Sequence, residues 1–433
     1  MSLSETRAEA DCPDIEARAR TATGLSSAEL APTHDFTAKL TQPSLQPRVA
    51  DYVSWQRAVR AARAMGDAGP EFPDQAPLSI NLDLTTACNY RCDHCIDWDI
   101  LNSPIKYQHD KLRHSLTRMA ERGLKSVIII GGGEPTIYPG FADIVRLLKR
   151  LDLQVAIVSN GSRNDVVHGI FDLLDERDWL RLSLDSGSNE TFWRMHRPVK
   201  DLSLDTICSW VPKLRARNES PLIGFSFIIV WDGAEREEGV PVVENIHEIV
   251  QATRRARDFG FSYISLKPFL SRRPDGAEVM DPEAADEELD GIVSRIRAAV
   301  NEAKTFETES FKVTESINLR VLETGSWRSY TRQPSMCHMQ AFRQVLTPLG
   351  LYNCPAHRGV EKARLGESAA YSDDSSCAES AKATAGILER FDAAKECSEV
   401  TCLYNSVNWW LEAAIRGEQD LTALGRERFD HFL

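Results

Sequence analysis

Between Leu78 and Phe269, short apolar runs alternate with longer amphipathic stretches. Strand-like runs fall at 78–85, 125–130, 154–159, 180–184, 223–230 and 262–267. Helical spacing of apolar positions fills 107–122, 140–151, 164–176, 202–218 and 242–258. Short apolar runs bounded by turn residues predict buried strands, and recurrence at i, i+3 and i+4 predicts helix faces. Strands alternating with helices predict βαβ units around a parallel sheet, an α/β fold whose chemistry sits on the loops after the strands.

The flanks read differently. Residues 1–45 lack clear periodicity and are expected to be disordered; Cys12 lies there without a role. Residues 46–77 hold a helix from Pro47 to Met65, with Val49, Tyr52, Val53, Trp55, Val59 and Ala62 at helical spacing, expected to pack on the core of residues 78–270. A linker rich in Gly and Pro follows that helix. Residues 271–330 are an acidic helical connector, notably Asp281 to Lys304. In 331–433, two strand-like runs flank Thr347-Pro-Leu-Gly350, predicting a β-hairpin with Cys337 at one end and Cys354 at the other. Cys397 and Cys402 follow at the start of another helical run.

Composition adds bounds. The 433 residues are 42% hydrophobic and 27% charged, an ordinary globular make-up. The net charge of −13 repels phosphate backbones and argues against a nucleic-acid partner. No apolar run approaches bilayer length, and the polar start of the chain has no leader-like core, so a cytoplasmic protein with no membrane partner is expected. Reduced thiols in that compartment make the ten cysteines metal ligands more often than disulfides.

The chemistry concentrates at Leu82–Asp97, where the first strand runs into Cys88, Cys92 and Cys95, spaced Cys-x3-Cys-x2-Cys. Three thiolates hold three corners of a cubane iron–sulfur cluster, which normally takes four, and leave one iron open. An open position marks a reactive metal site. The competing reading is zinc with His94 as fourth ligand, although so short a loop aims four side chains poorly at one ion.

The triad, with Gly131-Gly132-Gly133-Glu134-Pro135 at the end of the second strand, closely resembles the radical S-adenosylmethionine (radical SAM) superfamily. The resemblance implies a partial (β/α)6 TIM-like barrel, a SAM-binding 4Fe–4S cluster on Cys88, Cys92 and Cys95, SAM itself, and a flavodoxin- or ferredoxin-type electron donor. It implies that Gly132, Gly133 and Glu134 meet the amino group of SAM; the alternative is a bare strand-to-helix turn. Ser159 and Asn160, after the third strand, would hydrogen-bond a nucleoside or the methionine carboxylate. Ser183 and Asp185 would face the ribose and carboxylate region, and Arg194 would pair with the carboxylate; a cap or a surface ion pair is the alternative for each. Lys267, at the end of the sixth strand, is the candidate catalytic residue, with a solvated lysine as the plain alternative. His94 stands where the family often has an aromatic ring.

The C-terminal cysteines, Cys337, Cys354, Cys397 and Cys402, resemble the shortened "twitch" form of the SPASM extension, a β-hairpin plus helix carrying one auxiliary 4Fe–4S cluster. The match is looser: Gly350 lies four positions before Cys354 rather than the commoner five, and Cys397-x4-Cys402 is wider than Cys-x2-Cys. Zinc is the alternative metal, Cys377 a replacement ligand, and Cys208 a core thiol. The function expected is a radical SAM oxidoreductase- or lyase-type enzyme acting on a small polar metabolite, a sugar, aminocyclitol or nucleoside of antibiotic-like biosynthesis. It would oxidise, dehydrate or epimerise that substrate. A peptide- or protein-modifying maturase and a non-catalytic metal scaffold are the alternatives.

Overall fold

The computed structural model describes residues 34–199, 201–237, 239–273, 276–282, 289–421 and 427–433. Its strands are β1 Ser79–Leu82, β2 Ser126–Ile129, β3 Gln154–Ser159, β4 Trp179–Ser183, β5 Leu222–Ile229 and β6 Tyr263–Pro268. Further along come β7 Ser271–Arg272, β8 Glu278–Val279, β9 Lys312–Glu315, β10 Arg343–Thr347, β11 Gly350–Tyr352 and β12 Arg364–Gly366. The ten-stranded sheet has the order β12-β11-β10-β1-β2-β3-β4-β5-β6-β9, and β7 pairs with β8 alone. β1 to β6 pair in parallel and in sequence, which is the expected partial barrel.

The helices are α1 Phe36–Leu40, α2 Gln46–Met65, α3 His109–Glu121, α4 Phe141–Arg150, α5 Asn164–His168, α6 Asn189–His196 and α7 Leu204–Cys208. After them come α8 Val211–Arg217, α9 Ile249–Asp258, α10 Leu289–Lys304, α11 Ile317–Glu323, α12 Asp374–Arg390, α13 Ala393–Glu396 and α14 Asn405–Arg416. The strand faces divide the labour. Ile80, Leu82, Val127, Ile129, Val155, Ile157, Leu180 and Leu182 are fully buried against the helices. α4 answers with Phe141, Ile144, Val145, Leu147 and Leu148 on one stripe. Each such side chain contributes about 1.5–3 kcal/mol on burial.

Several expectations shift. Of the segment expected to be disordered, residues 1–33, with Cys12, lie outside the described residues; Phe36 and Leu40 in α1 are buried. α2 meets the core at Leu78, just before β1, and spends most of its apolar face on the C-terminal region. Its Val49, Tyr52 and Val53 join Phe342, Val407 and Leu411 in a separate cluster. Arg60 fixes that contact with a two-pronged hydrogen bond to Glu412 at 2.9 and 2.7 Å. The helix expected over 202–218 breaks at Ser209–Trp210 into α7 and α8, because Pro212 in the first turn of α8 has no amide with which to continue α7. The connector supplies β9, a seventh parallel strand beside β6. The hairpin β10–β11 is not a free appendage, since β10 lies parallel to β1 along Ser79–Leu82.

Residues 427–433 close the barrel floor. Phe432 packs on Ile128, Ala156 and Trp179, with the two aromatic rings 5.5 Å apart. Ser126 Oγ donates to the carbonyl of His431 at 2.7 Å, and Lys39 of α1 donates to the carbonyl of Phe432 at 2.5 Å. Among the described residues no helix is long and apolar enough to cross a membrane.

Candidate active site

Cys88, Cys92 and Cys95 lie, half-buried, on the loop that follows β1. Asn102, in a left-handed conformation, holds the loop by accepting the Cys88 amide at 3.1 Å. The glycine turn after β2 presses against it. A Cβ on Gly133 would lie 2.0 Å from the carbonyl oxygen of Ala87, so only glycine fits there. The Glu134 amide donates to that same carbonyl at 2.9 Å.

Burial raises all three thiols. Cys92 is pushed further by Cys95 and Cys88, and Cys95 reaches about 12 with Asp97 adding to the effect. Sulfurs gathered where ionisation is penalised suit a bound cationic centre, which reverses that penalty and takes them as thiolates. The residues therefore fit an iron–sulfur cluster. A single tetrahedral zinc would hold thiolates about 3.8 Å apart. Among the described residues the one set of three ligand atoms within 4.8 Å is Cys92, His94 and His196. Those imidazoles are already engaged. His94 Nε2 lies 3.1 Å from Asp185 Oδ2; His196 Nε2 donates to the Leu184 carbonyl at 3.0 Å and its Nδ1 faces Cys92 Sγ at 3.3 Å.

The other expected residues separate into groups. Glu134 is fully buried and raised by that burial against four hydrogen bonds. Oε1 accepts from the Thr136 amide and hydroxyl and from Ser159 Oγ at 2.8 Å, and Oε2 accepts the Asn160 amide at 2.7 Å. Asn160 Nδ2 reaches Asn89 Oδ1 at 2.9 Å, so Glu134, Ser159 and Asn160 lace the second and third strand ends to the cysteine loop. Gly132 lies against Asp83 and donates its amide to Asp97 Oδ2 at 3.2 Å. Asp185 is buried in a left-handed conformation, and its Oδ1 accepts the Ile228 amide at 2.7 Å. Burial raises it, but His94 and His196 outweigh that and hold it below the ordinary aspartate range. Ser183 is half-buried at the end of β4. Arg194 is exposed on α6, whose inward face carries Phe192, Met195 and His196. Lys267 is half-buried, 3.5 Å from Ser226 Oγ.

Sequence reasoning passed over His196, Asp83, Asp97 and Arg358. His196 was findable, since it falls one helical turn from Phe192 on the apolar stripe of α6. Arg358 has no local signal. It bridges Asp97 at 2.6 Å and Asp83 at 3.1 Å from a turn just past Cys354.

The C-terminal thiols also converge. Cys337 and Cys354 bracket the hairpin, and Cys397 and Cys402 come from the turn between α13 and α14. Burial raises all four; Cys397 is further raised by Cys402, Cys354 and Cys337, and Cys402 by Cys337 and Cys354. Among the described residues no three of their sulfurs fall within 4.8 Å of one another. Asn408 Nδ2 donates to Cys337 Sγ, and His357 Nε2 faces Cys397 Sγ, each at 3.5 Å. Cys377 is buried on α12 beside the Tyr371 carbonyl, and Cys208 is buried in the main core.

Comparison with known proteins meets this geometry. Residues 82–246 match the family model of the Radical SAM superfamily. An S-adenosylmethionine-dependent nucleotide dehydratase of Thermoplasmatales archaeon (strain ISO4-H5) is 34% identical over 110 residues, 25% of this chain and 38% of that protein. Another of that name, from Flammeovirga pacifica, is 28% identical over 134 residues, 30% of this chain and 46% of that protein. The chain thus spans under half the length of these curated relatives. In fold, Streptococcus suis SuiB bound to S-adenosylmethionine superposes with a TM-score of 0.54 at 13% identity, covering 86% of this chain and 80% of SuiB. The triad of thiols, the glycine turn locked against it and the parallel strands beneath all lie in the matched stretch, so residues 82–246 are a radical SAM domain, of the family that takes a 4Fe–4S cluster and SAM.

Proposed function

We propose that the chain is a radical SAM enzyme that removes a hydrogen atom from a small polar metabolite of sugar, aminocyclitol or nucleoside type. The observation that carries this reading is the contact of Gly133 with Ala87, which sets the glycine turn directly beside Cys88, Cys92 and Cys95. Those three cysteines would hold the cluster, and the unligated iron would receive SAM. The chemistry supplied there is reductive cleavage of SAM to methionine and a 5′-deoxyadenosyl radical, which takes hydrogen from substrate. Gly132 and Gly133 would offer backbone to the amino end of SAM. Glu134, with both oxygens occupied, would act by fixing Ser159 and Asn160. Cys337, Cys354, Cys397 and Cys402 would hold an auxiliary cluster able to take up an electron in a net oxidation.

A small substrate is supported by α2, whose apolar face is spent on α14 and the Cys337 segment and leaves no cleft for a peptide there. The curated relatives named as nucleotide dehydratases point the same way. Anaerobic reconstitution with iron and sulfide, followed by dithionite and SAM, should yield 5′-deoxyadenosine. Intact clusters without that product would overturn the reading.

A further inference from the structure

The inward faces of β4, β5 and β6 carry polar side chains where a filled barrel would carry apolar ones. Arg181, Ser183 and Lys267 are half-buried, while their outward neighbours Leu180, Leu182 and Leu266 are 0% exposed. Solvent therefore reaches the inside of the barrel and not the layer under the helices. Gly224 lies in register between Arg181 and Tyr263, and the Tyr263 ring occupies the space a side chain there would need.

Two cations face this space, and neither has a carboxylate partner among the described residues. The Arg181 guanidinium stacks over Trp179 at 5.0 Å, and its Nε is buried without a hydrogen-bond partner. Lys267 has the Ser226 hydroxyl at 3.5 Å. The acid within electrostatic reach of both, Asp185, has its oxygens committed to His94 and the Ile228 amide. Burial, and for Lys267 the charge of Arg181, press both cations toward losing a proton. A half-buried cation without an ion-pair partner has given up part of its hydration, and an anionic ligand restores what it lost. A guanidinium fork, an ammonium and nearby serine hydroxyls at Ser183, Ser226 and Ser265 match the several oxygens of a phosphate better than the two of a carboxylate.

We propose that Arg181 and Lys267 receive a phosphate group of the substrate inside the barrel, so that, granting the reading above, the molecule acted on is a phosphorylated metabolite.

The test is calorimetric titration of the full, cluster-reconstituted chain, with SAM in excess to occupy the open iron, with pyrophosphate, citrate, UTP and uridine. Pyrophosphate should bind about tenfold or more tighter than citrate, and UTP about tenfold or more tighter than uridine. Arg181→Met and Lys267→Met should each weaken pyrophosphate binding by about tenfold or more. Without ligand, neither variant should melt below the parent, because each removes a charge that has no carboxylate partner among the described residues, and methionine keeps the apolar contact; a lower melting temperature in both would mark the cations as structural and overturn the proposal. It is equally overturned if citrate matches pyrophosphate, or if both variants bind pyrophosphate as the parent does. A parent that binds pyrophosphate through these residues yet never cleaves SAM would keep the phosphate site and reject the enzymatic reading. One that cleaves SAM but ignores phosphates would do the reverse.

Discussion

Nη1 of Arg358 lies 2.6 and 2.7 Å from the two carboxylate oxygens of Asp97. One residue sits four positions past Cys354, and the other two positions past Cys95. The same guanidinium reaches Asp83 at the end of β1, and its carbonyl accepts from Arg272, which also pairs with Asp99 at 2.9 Å. The two cysteine groups are thus tied by one buried ionic junction.

Arg358→Met should be severely destabilising. It strands Asp97 without a cation, and breaking a buried pair in this way costs about 3–5 kcal/mol. Denaturant unfolding measures it. Asp83, pushed up to about 8 by burial, should tolerate Asn far better; equal losses for the two variants would contradict the junction.

Gly133→Ala should empty the triad site. The new methyl meets the Ala87 carbonyl, which is backbone and cannot swing aside. Iron per chain should fall and 5′-deoxyadenosine formation should stop, while the C-terminal site keeps its metal. Parental iron content would count against this packing.

Cys354→Ala should lower iron by about half if two clusters are present, and should leave the triad loaded. Unchanged iron would remove the auxiliary cluster from the proposal.

Glu412 carries a pH dependence. Burial raises it, yet hydrogen bonds from Arg60 and His338 prevail and hold it well below the ordinary value of 4.5. A depressed carboxyl stabilises the fold above its unfolded pKa and loses that contribution as pH falls toward its folded pKa. The stability gap between the parent and Glu412→Gln, about 1.5–3 kcal/mol at neutral pH, should therefore shrink steadily below about pH 4.5. A gap that widens on acidification would reverse the sign.

Phe432→Ala should cost about 3–5 kcal/mol by opening a hole under the barrel. Thermal melting measures it, and a loss within error would mean that residues 427–433 only rest on the floor.

What the sequence made legible is what is local. Ligand spacing exposed Cys88, Cys92 and Cys95, and apolar periodicity exposed the six core strands, because both are written within a few residues. The partners of those elements are not. β10 lies beside β1 across more than 250 residues of chain, and α2 finds α14 as well as Leu78 beside β1, through pairings that no window records. Arg194 was singled out for its chemistry, but the phase of α6 turns it outward and brings His196 in. Glu134 and Asp185 were expected to face a ligand, and the fold also gives each of them hydrogen bonds to neighbours far off in sequence that no local window records.

Trp179 has Phe432 5.5 Å from one ring contact and the Arg181 guanidinium 5.0 Å from another. An indole so placed is a built-in optical reporter. In a variant whose other eight tryptophans are replaced by phenylalanine, its emission should shift when the floor loosens in denaturant and, in a second titration, when an anion draws Arg181 away.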